Sequence, residues 1–231
     1  MSVKENLDEV RNEINEILKS KGREKDDVTL IAVTKTIDEK YMLEAIEDGI
    51  TDIGENKVQE IERKYNDLGP IVNYHMIGSL QSNKVKDVID KVCLIHSLDR
   101  KSLLKEINKR GRQEDKVINC LIQMNISKEE TKSGVYEEDL EEFLELVENY
   151  EYVRVQGLMT MAPHADNPED IRWVFTKMKN IFDSLAKREF KNIEMKYLSM
   201  GMSNDYNIAI EEGSNMVRVG TKIFGKRDYS K

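Results

Sequence analysis

Apolar residues in this chain form short runs, and amphipathic stretches separate one run from the next. Val3, Leu7, Val10, Ile14 and Ile17 recur at alternating spacings of four and three, which predicts an opening helix over 3–18, with Gly22 as its stop. The segment 1–22 is thus an N-terminal helix preceding a repeating pattern. Val28–Val33 is short, apolar and rich in β-branched residues, the mark of a buried strand. A helix over 38–48 follows, with Asp38 as cap and Gly49 at its end. Further strands are predicted at 51–54, 72–77, 92–96, 117–124, 152–159, 195–198 and 216–219. The helices between them run through Val58, Ile61 and Tyr65, through Val85 and Val88, from Asp99 as cap to Gly111, and near 136–149. Asn167-Pro168-Glu169-Asp170 starts another, reaching Lys187, and a short one through Ala209 ends at Gly213.

Eight strands alternating with helices imply a parallel sheet, and in 231 residues they predict a closed barrel. The expected fold is α/β: a single-domain (β/α)8 TIM barrel over 1–231 with an extra N-terminal helix and a tail at 226–231. An open doubly wound sheet would need a glycine-rich phosphate turn after its first strand, where this chain has Thr34-Lys35-Thr36. The net charge of −8 argues against nucleic acid as the main partner. The N-terminus lacks the apolar core of a signal peptide, and no run is long enough to span a bilayer. Cys93 and Cys120 lie in apolar runs and read as buried thiols, which fits a reducing compartment and a cytoplasmic location.

Ligands of α/β barrels bind at the C-terminal ends of the strands. At the first such end stands Lys35, an amine half out of water that is suited to a lowered pKa and to Schiff-base formation with an aldehyde. Phosphate is often held by the loops after the last two strands. There the chain offers the Ser203 hydroxyl at a helix start, then Arg218, the open backbone of Gly220 and the Thr221 hydroxyl. A Schiff-base lysine opposite a phosphate cradle is the layout a pyridoxal phosphate (PLP) site requires. The three histidines lack metal-ligand spacing, so no metal site is expected, and His96 and His164 read as structural. The segment 128–134 reads either as a mobile lid or as a solvated turn.

The motifs AVTK at 32–35, GEN at 54–56, HMIGSLQSNK at 75–84 and ISKEETKSG at 126–134 are followed by GLMTMAP at 157–163, LSMGMSND at 198–205 and VRVGTKIFG at 217–225. As an ordered set they resemble the pyridoxal phosphate homeostasis protein family, also called the proline synthetase co-transcribed homologues. Thr34 and Tyr74 depart from the commoner serine and tryptophan. The resemblance implies a barrel similar to the alanine racemase N-terminal domain, with PLP held as an aldimine on Lys35. It implies phosphate contacts from Ser203, Gly220 and Thr221, with Ser199 nearby, and Arg218 approaching the pyridine nitrogen or the phosphate. Asn56 and His75 would line the ring pocket. The implied role is PLP binding and homeostasis without strong catalysis, and no catalytic residue is nominated. PLP-dependent apoenzymes are the implied partners, and the chain is expected to be a monomer or weak dimer. A racemase-like PLP enzyme is the alternative, and a Schiff-base aldolase on the same barrel a third reading. No second, β-rich domain of the racemase kind is expected after Gly225.

Overall fold

The structure, a computed structural model, describes residues 2–25 and 27–225. The expected tail at 226–231 lies outside the described residues. Helix α1 (Val3–Ser20) precedes β1 (Thr29–Val33), α2 (Glu39–Glu47), β2 (Asp52–Glu55), α3 (Val58–Leu68) and β3 (Asn73–Met76). A 3-10 turn, Ser82–Asp87, stands where a short helix was expected, and leads to β4 (Val92–Leu98), α4 (Lys101–Gln113) and β5 (Ile118–Met124). Then come α5 (Leu140–Val147), β6 (Val153–Thr160), α6 (Arg172–Leu185), β7 (Ile193–Met202), α7 (Tyr206–Glu211), β8 (Met216–Val219) and α8 (Thr221–Phe224). The eight strands pair in parallel and in chain order, and β8 closes on β1, so the predicted closed barrel is the fold.

Two apolar layers follow from strand alternation. Ile31, Leu94, Leu121, Met159 and Met216 meet as one cluster inside the barrel, while the larger core lies between the strands and the surrounding helices. Helix α1 starts in a capping box, with Ser2 Oγ accepting from the Glu5 N–H at 3.2 Å and the Glu5 carboxylate from the Ser2 N–H at 2.8 Å. Its buried stripe continues from Ile14 to Leu18 rather than to Ile17, because a four-residue step follows the helical period better there. It packs on α2, α7 and α8, the last of which opens the candidate phosphate loop.

Several local expectations are corrected. Asp99 does not cap α4; its carboxylate accepts from Arg100 at 2.6 Å, and Arg100 also donates to the Leu80 carbonyl at 2.6 Å, which ties α4 to the loop after β3. Gly111 does not end α4 but lies buried within it, pressed against the Lys116 carbonyl and Tyr152. Cys120 is buried, but Cys93 is exposed. Strand β7 begins before the expected 195 and runs through Ser199–Met202, so Ser199 belongs to the wall and not to a loop.

Gly157 in β6 has a φ of +138°, and a Cβ there would lie 1.9 Å from the Tyr197 carbonyl oxygen. Gly157→Ala is therefore expected to destabilise the barrel by about 3 kcal/mol or more in urea unfolding. A loss below about 1 kcal/mol would show that β6 and β7 can part without cost.

Candidate functional site

A cavity of about 790 Å³ opens at the C-terminal ends of the strands. Lys35, Asn56, Ser203, Arg218, Gly220 and Thr221 line it, so six of the eight expected site residues come together. His75 and Ser199 do not line it; both are buried inside the barrel, behind Arg218. His164, expected to be structural, does line it.

Lys35 stands two residues past the end of β1 and is half-buried. The residue before it is fastened at three points. Thr34 donates its N–H to the Gly54 carbonyl at 3.1 Å and its hydroxyl to Glu55 at 2.5 Å, and its carbonyl accepts from Lys64 at 2.7 Å. Lys64 also pairs with Glu55 at 2.6 Å, and both side chains are buried. Burial pushes the Glu55 carboxyl up, and the Lys64 ammonium opposes that shift. Threonine can replace the family's commoner serine here because the hydroxyl is what reaches Glu55. Immediately after Lys35, Thr36 takes a φ of +60°, an uncommon and strained conformation for a β-branched residue. The lysine is thus held between a fixed residue and a strained one.

Across the cavity, Ser203 Oγ accepts from the backbone N–H of Gly220 at 3.1 Å and of Lys222 at 3.4 Å. The turn carrying Ser203 is closed by Asp205, whose carboxylate accepts from the Met202 N–H at 2.5 Å. Gly201, with φ +97°, lets α7 approach so closely that a Cβ would lie 2.7 Å from that of Ala209. The Lys222 ammonium pairs with Glu13 of α1 at 2.5 Å, so the N-terminal helix anchors the start of α8. Hydroxyls and converging N–H groups form an acceptable cradle for a phosphate.

Arg218, buried between these two sides, donates to Ser199 Oγ at 2.5 Å and to the Thr160 carbonyl at 2.9 Å. Burial pushes its guanidinium down to about 10, and the nearby Asp205 carboxylate opposes that shift. The loop 128–134 is not a plain solvated turn. Asn125 donates to the Glu129 and Lys132 carbonyls at 2.9 and 3.0 Å, Gln123 donates to the Ser133 carbonyl at 2.9 Å, and Thr131–Ser133 line the cavity. Among the described residues no cluster of three or more His, Cys, Asp or Glu side chains is arranged to hold a metal ion.

Neither Lys64 nor Asp205 drew a reading from the sequence, which marked His96 as structural without its partners. Lys64 had a signal, since it falls three residues after Ile61 on the apolar face of α3. Asp205 lay inside the LSMGMSND motif without a role. His96 showed only as a polar residue in an apolar strand.

The Lys35 amine at the first strand end thus faces hydroxyl and N–H groups at the last two across one cavity. Residues 6–228 match the family profile "Alanine racemase, N-terminal domain". The chain is 43% identical over 230 residues to the pyridoxal phosphate homeostasis protein of Aquifex aeolicus, covering 99% of this chain and all of the relative. A protein of Bifidobacterium adolescentis superposes with a TM-score of 0.91 at 32% identity, over 96% of this chain and 94% of the other. PipY of Synechococcus elongatus, solved with PLP bound, superposes with a TM-score of 0.78 at 29% identity, over 92% of this chain and all of PipY. The chain belongs to the pyridoxal phosphate homeostasis protein family.

Two outcomes test the frame around Lys35. Lys64→Met leaves Glu55 buried without its cation and is expected to cost about 3–5 kcal/mol near neutral pH, by chemical denaturation. Because Glu55 has a raised pKa, its buried charge is present above that pKa and disappears as the pH falls through it, so the loss should shrink on acidification. Thr36→Gly relieves the left-handed strain and is expected to stabilise by up to about 1 kcal/mol, seen as a higher Tm.

Proposed function

We propose that this chain binds PLP, holds it through a Schiff base to Lys35, and takes part in intracellular PLP homeostasis without strong catalytic activity. The observation that carries this reading is the pairing, across one cavity, of the Lys35 amine with the Ser203, Gly220 and Thr221 cradle. The donor set fits the group: a primary amine suits an aldehyde, and hydroxyl and N–H donors suit a phosphate. When bound, PLP supplies an aldehyde carbon open to amines and a ring that can withdraw electrons. Lys35 would supply the amine that condenses with that carbon, with loss of one water. Ser203, Gly220 and Thr221 would hold the phosphate, with the Gly220 and Lys222 N–H groups orienting the Ser203 hydroxyl. Arg218, lining the cavity, would present a donor that disfavours a protonated ring nitrogen, which would limit the ring as an electron sink. Asn56, which lines the cavity, would flank the ring.

Membership of the family and the PLP bound to PipY support the cofactor. The weak-catalysis part rests on the homeostasis role for which the relatives are named. A racemase needs an acid–base group on each face of its substrate, and His164 and Asp205 line the cavity with Lys35, so turnover is measured directly. We propose a cytoplasmic location, supported by the family role, and PLP-dependent apoenzymes as recipients. No helix among the described residues is long and apolar enough to cross a membrane.

The test is an absorption spectrum with PLP of the intact protein beside Lys35→Ala, together with an amino acid racemisation assay. A visible band in the wild type, its loss in Lys35→Ala, and little turnover are expected. Ser203→Ala should keep the band and weaken PLP binding about tenfold, the loss of roughly one charge-assisted hydrogen bond. No band in either protein would remove PLP from the account, and turnover at the rate of a dedicated racemase would replace the binder with an enzyme.

A further inference from the structure

Behind Arg218 a line of hydrogen bonds crosses the interior of the barrel. Arg218 of β8 donates to Ser199 Oγ of β7 at 2.5 Å. Ser199 Oγ lies 3.1 Å from His96 Nδ1 of β4, and His96 Nε2 lies 3.0 Å from His75 Nδ1 of β3. His75 Nε2 lies 2.8 Å from Asp52 Oδ1, on the first residue of β2. Ser199 and His96 are completely buried, and His75 and Arg218 nearly so. Asp52 is only half-buried, and next to it stand the exposed Asn73, donating to Oδ1 at 3.1 Å, and the exposed Cys93. The line therefore runs from the ligand cavity to the opposite, N-terminal mouth of the barrel.

Its two ends set its direction. A guanidinium can only donate, so Ser199 Oγ accepts from Arg218, and the Ser199 O–H is left to donate to His96 Nδ1. A neutral His96 then carries its proton on Nε2 and donates to His75 Nδ1. His75 in turn carries its proton on Nε2 and donates to Asp52, whose ionised carboxylate can only accept. The reverse order would have Ser199 accept twice and leave its O–H without an acceptor in a buried place, at a cost of about 1–3 kcal/mol. Burial holds the His96 imidazole well below its ordinary pKa, which agrees with a neutral ring. The His75 contact holds the Asp52 carboxyl below the usual range against the opposing effect of burial. Successive bonds of one sense polarise one another, so the cationic end is stabilised by the anionic one through two neutral rings.

We propose that Asp52, His75 and His96 are positioning residues for Arg218: this one-directional chain holds the guanidinium as a donor at the cavity and ties its charge to a carboxylate at the far mouth of the barrel. The chain stands on the ligand-free geometry, and only its consequence for PLP rests on the proposed function. Asp205 and Thr160 also face Arg218, and they fix its place without passing through the histidines.

Imidazole nitrogen NMR of isotope-labelled, ligand-free protein at neutral pH tests the chain. Both His75 and His96 are expected as neutral rings protonated on Nε2. A His96 ring protonated on Nδ1, or on both nitrogens, overturns the direction and with it the proposal. Asp52→Asn removes the carboxylate at the far end while leaving the cavity lining intact. It is expected to shift the His96 ring nitrogens, although Asp52 touches His75 and not His96, and to weaken PLP about threefold or more while the Lys35 band persists. Unchanged His96 signals overturn the proposal whatever happens to stability, since a merely structural Asp52 would move the Tm and not a ring two bonds along. Shifted His96 signals with unchanged PLP affinity also overturn it, because Arg218 would then be insensitive to the chain. Wild-type protein that binds no PLP would refute the proposed function, and the wild-type NMR result would still judge the chain.

Discussion

A charge taken out of water must be paired and hydrogen-bonded, and two buried cations, Lys64 between α3 and the strands and Arg218 in β8, shape this site. Lys64 meets its need through Glu55 and the Thr34 carbonyl, and in doing so fixes the end of β1. Arg218 meets its need through Ser199, Thr160 and the nearby Asp205, and so fixes the floor between β6, β7 and β8. The amine of Lys35 and the cradle of Ser203 and Gly220 are carried by these two frames. The residues expected to touch a ligand are thus positioned by residues that do not.

The two sides of the cavity are built differently. On the Lys35 side the backbone leaves a tightly bonded strand end and passes at once through a strained residue. On the phosphate side a glycine lets α7 close in, Asp205 closes the turn, and α8 starts under Ser203 while α1 holds Lys222 from outside. The extra helix α1 therefore does more than cover apolar surface, because it pins the cradle through Glu13. Both sides of the cavity are thus held by contacts from outside it, and the relatives are named for PLP homeostasis.

Alternation of apolar runs and amphipathic stretches made the barrel legible, because each strand is buried on both faces and each helix on one. Lys35, Asn56, Ser203, Arg218, Gly220 and Thr221 were legible for a related reason, since they stand at strand ends, where barrel ligands bind. Ser199 was misplaced because β7 continues to Met202 past Gly201, a residue that reads as a turn signal and instead admits α7. His75 was misplaced at the ring pocket and the contact between His75 and His96 was hidden, because a polar residue inside an apolar strand does not reveal its partner on another strand. Lys64 drew no reading from the sequence, although its spacing from Ile61 placed it on the buried face, and Glu55 across the gap explains a lysine there. Pairings between distant segments are what periodicity cannot supply.

The most direct test of the central claim is to incubate the protein with PLP, reduce it with borohydride, and map the modified peptide by mass spectrometry. The account predicts one dominant reduced adduct, on the peptide that contains Lys35. A dominant adduct on Lys132, Lys222 or any other lysine would contradict it, because the amine and the cradle would then not serve the same ligand.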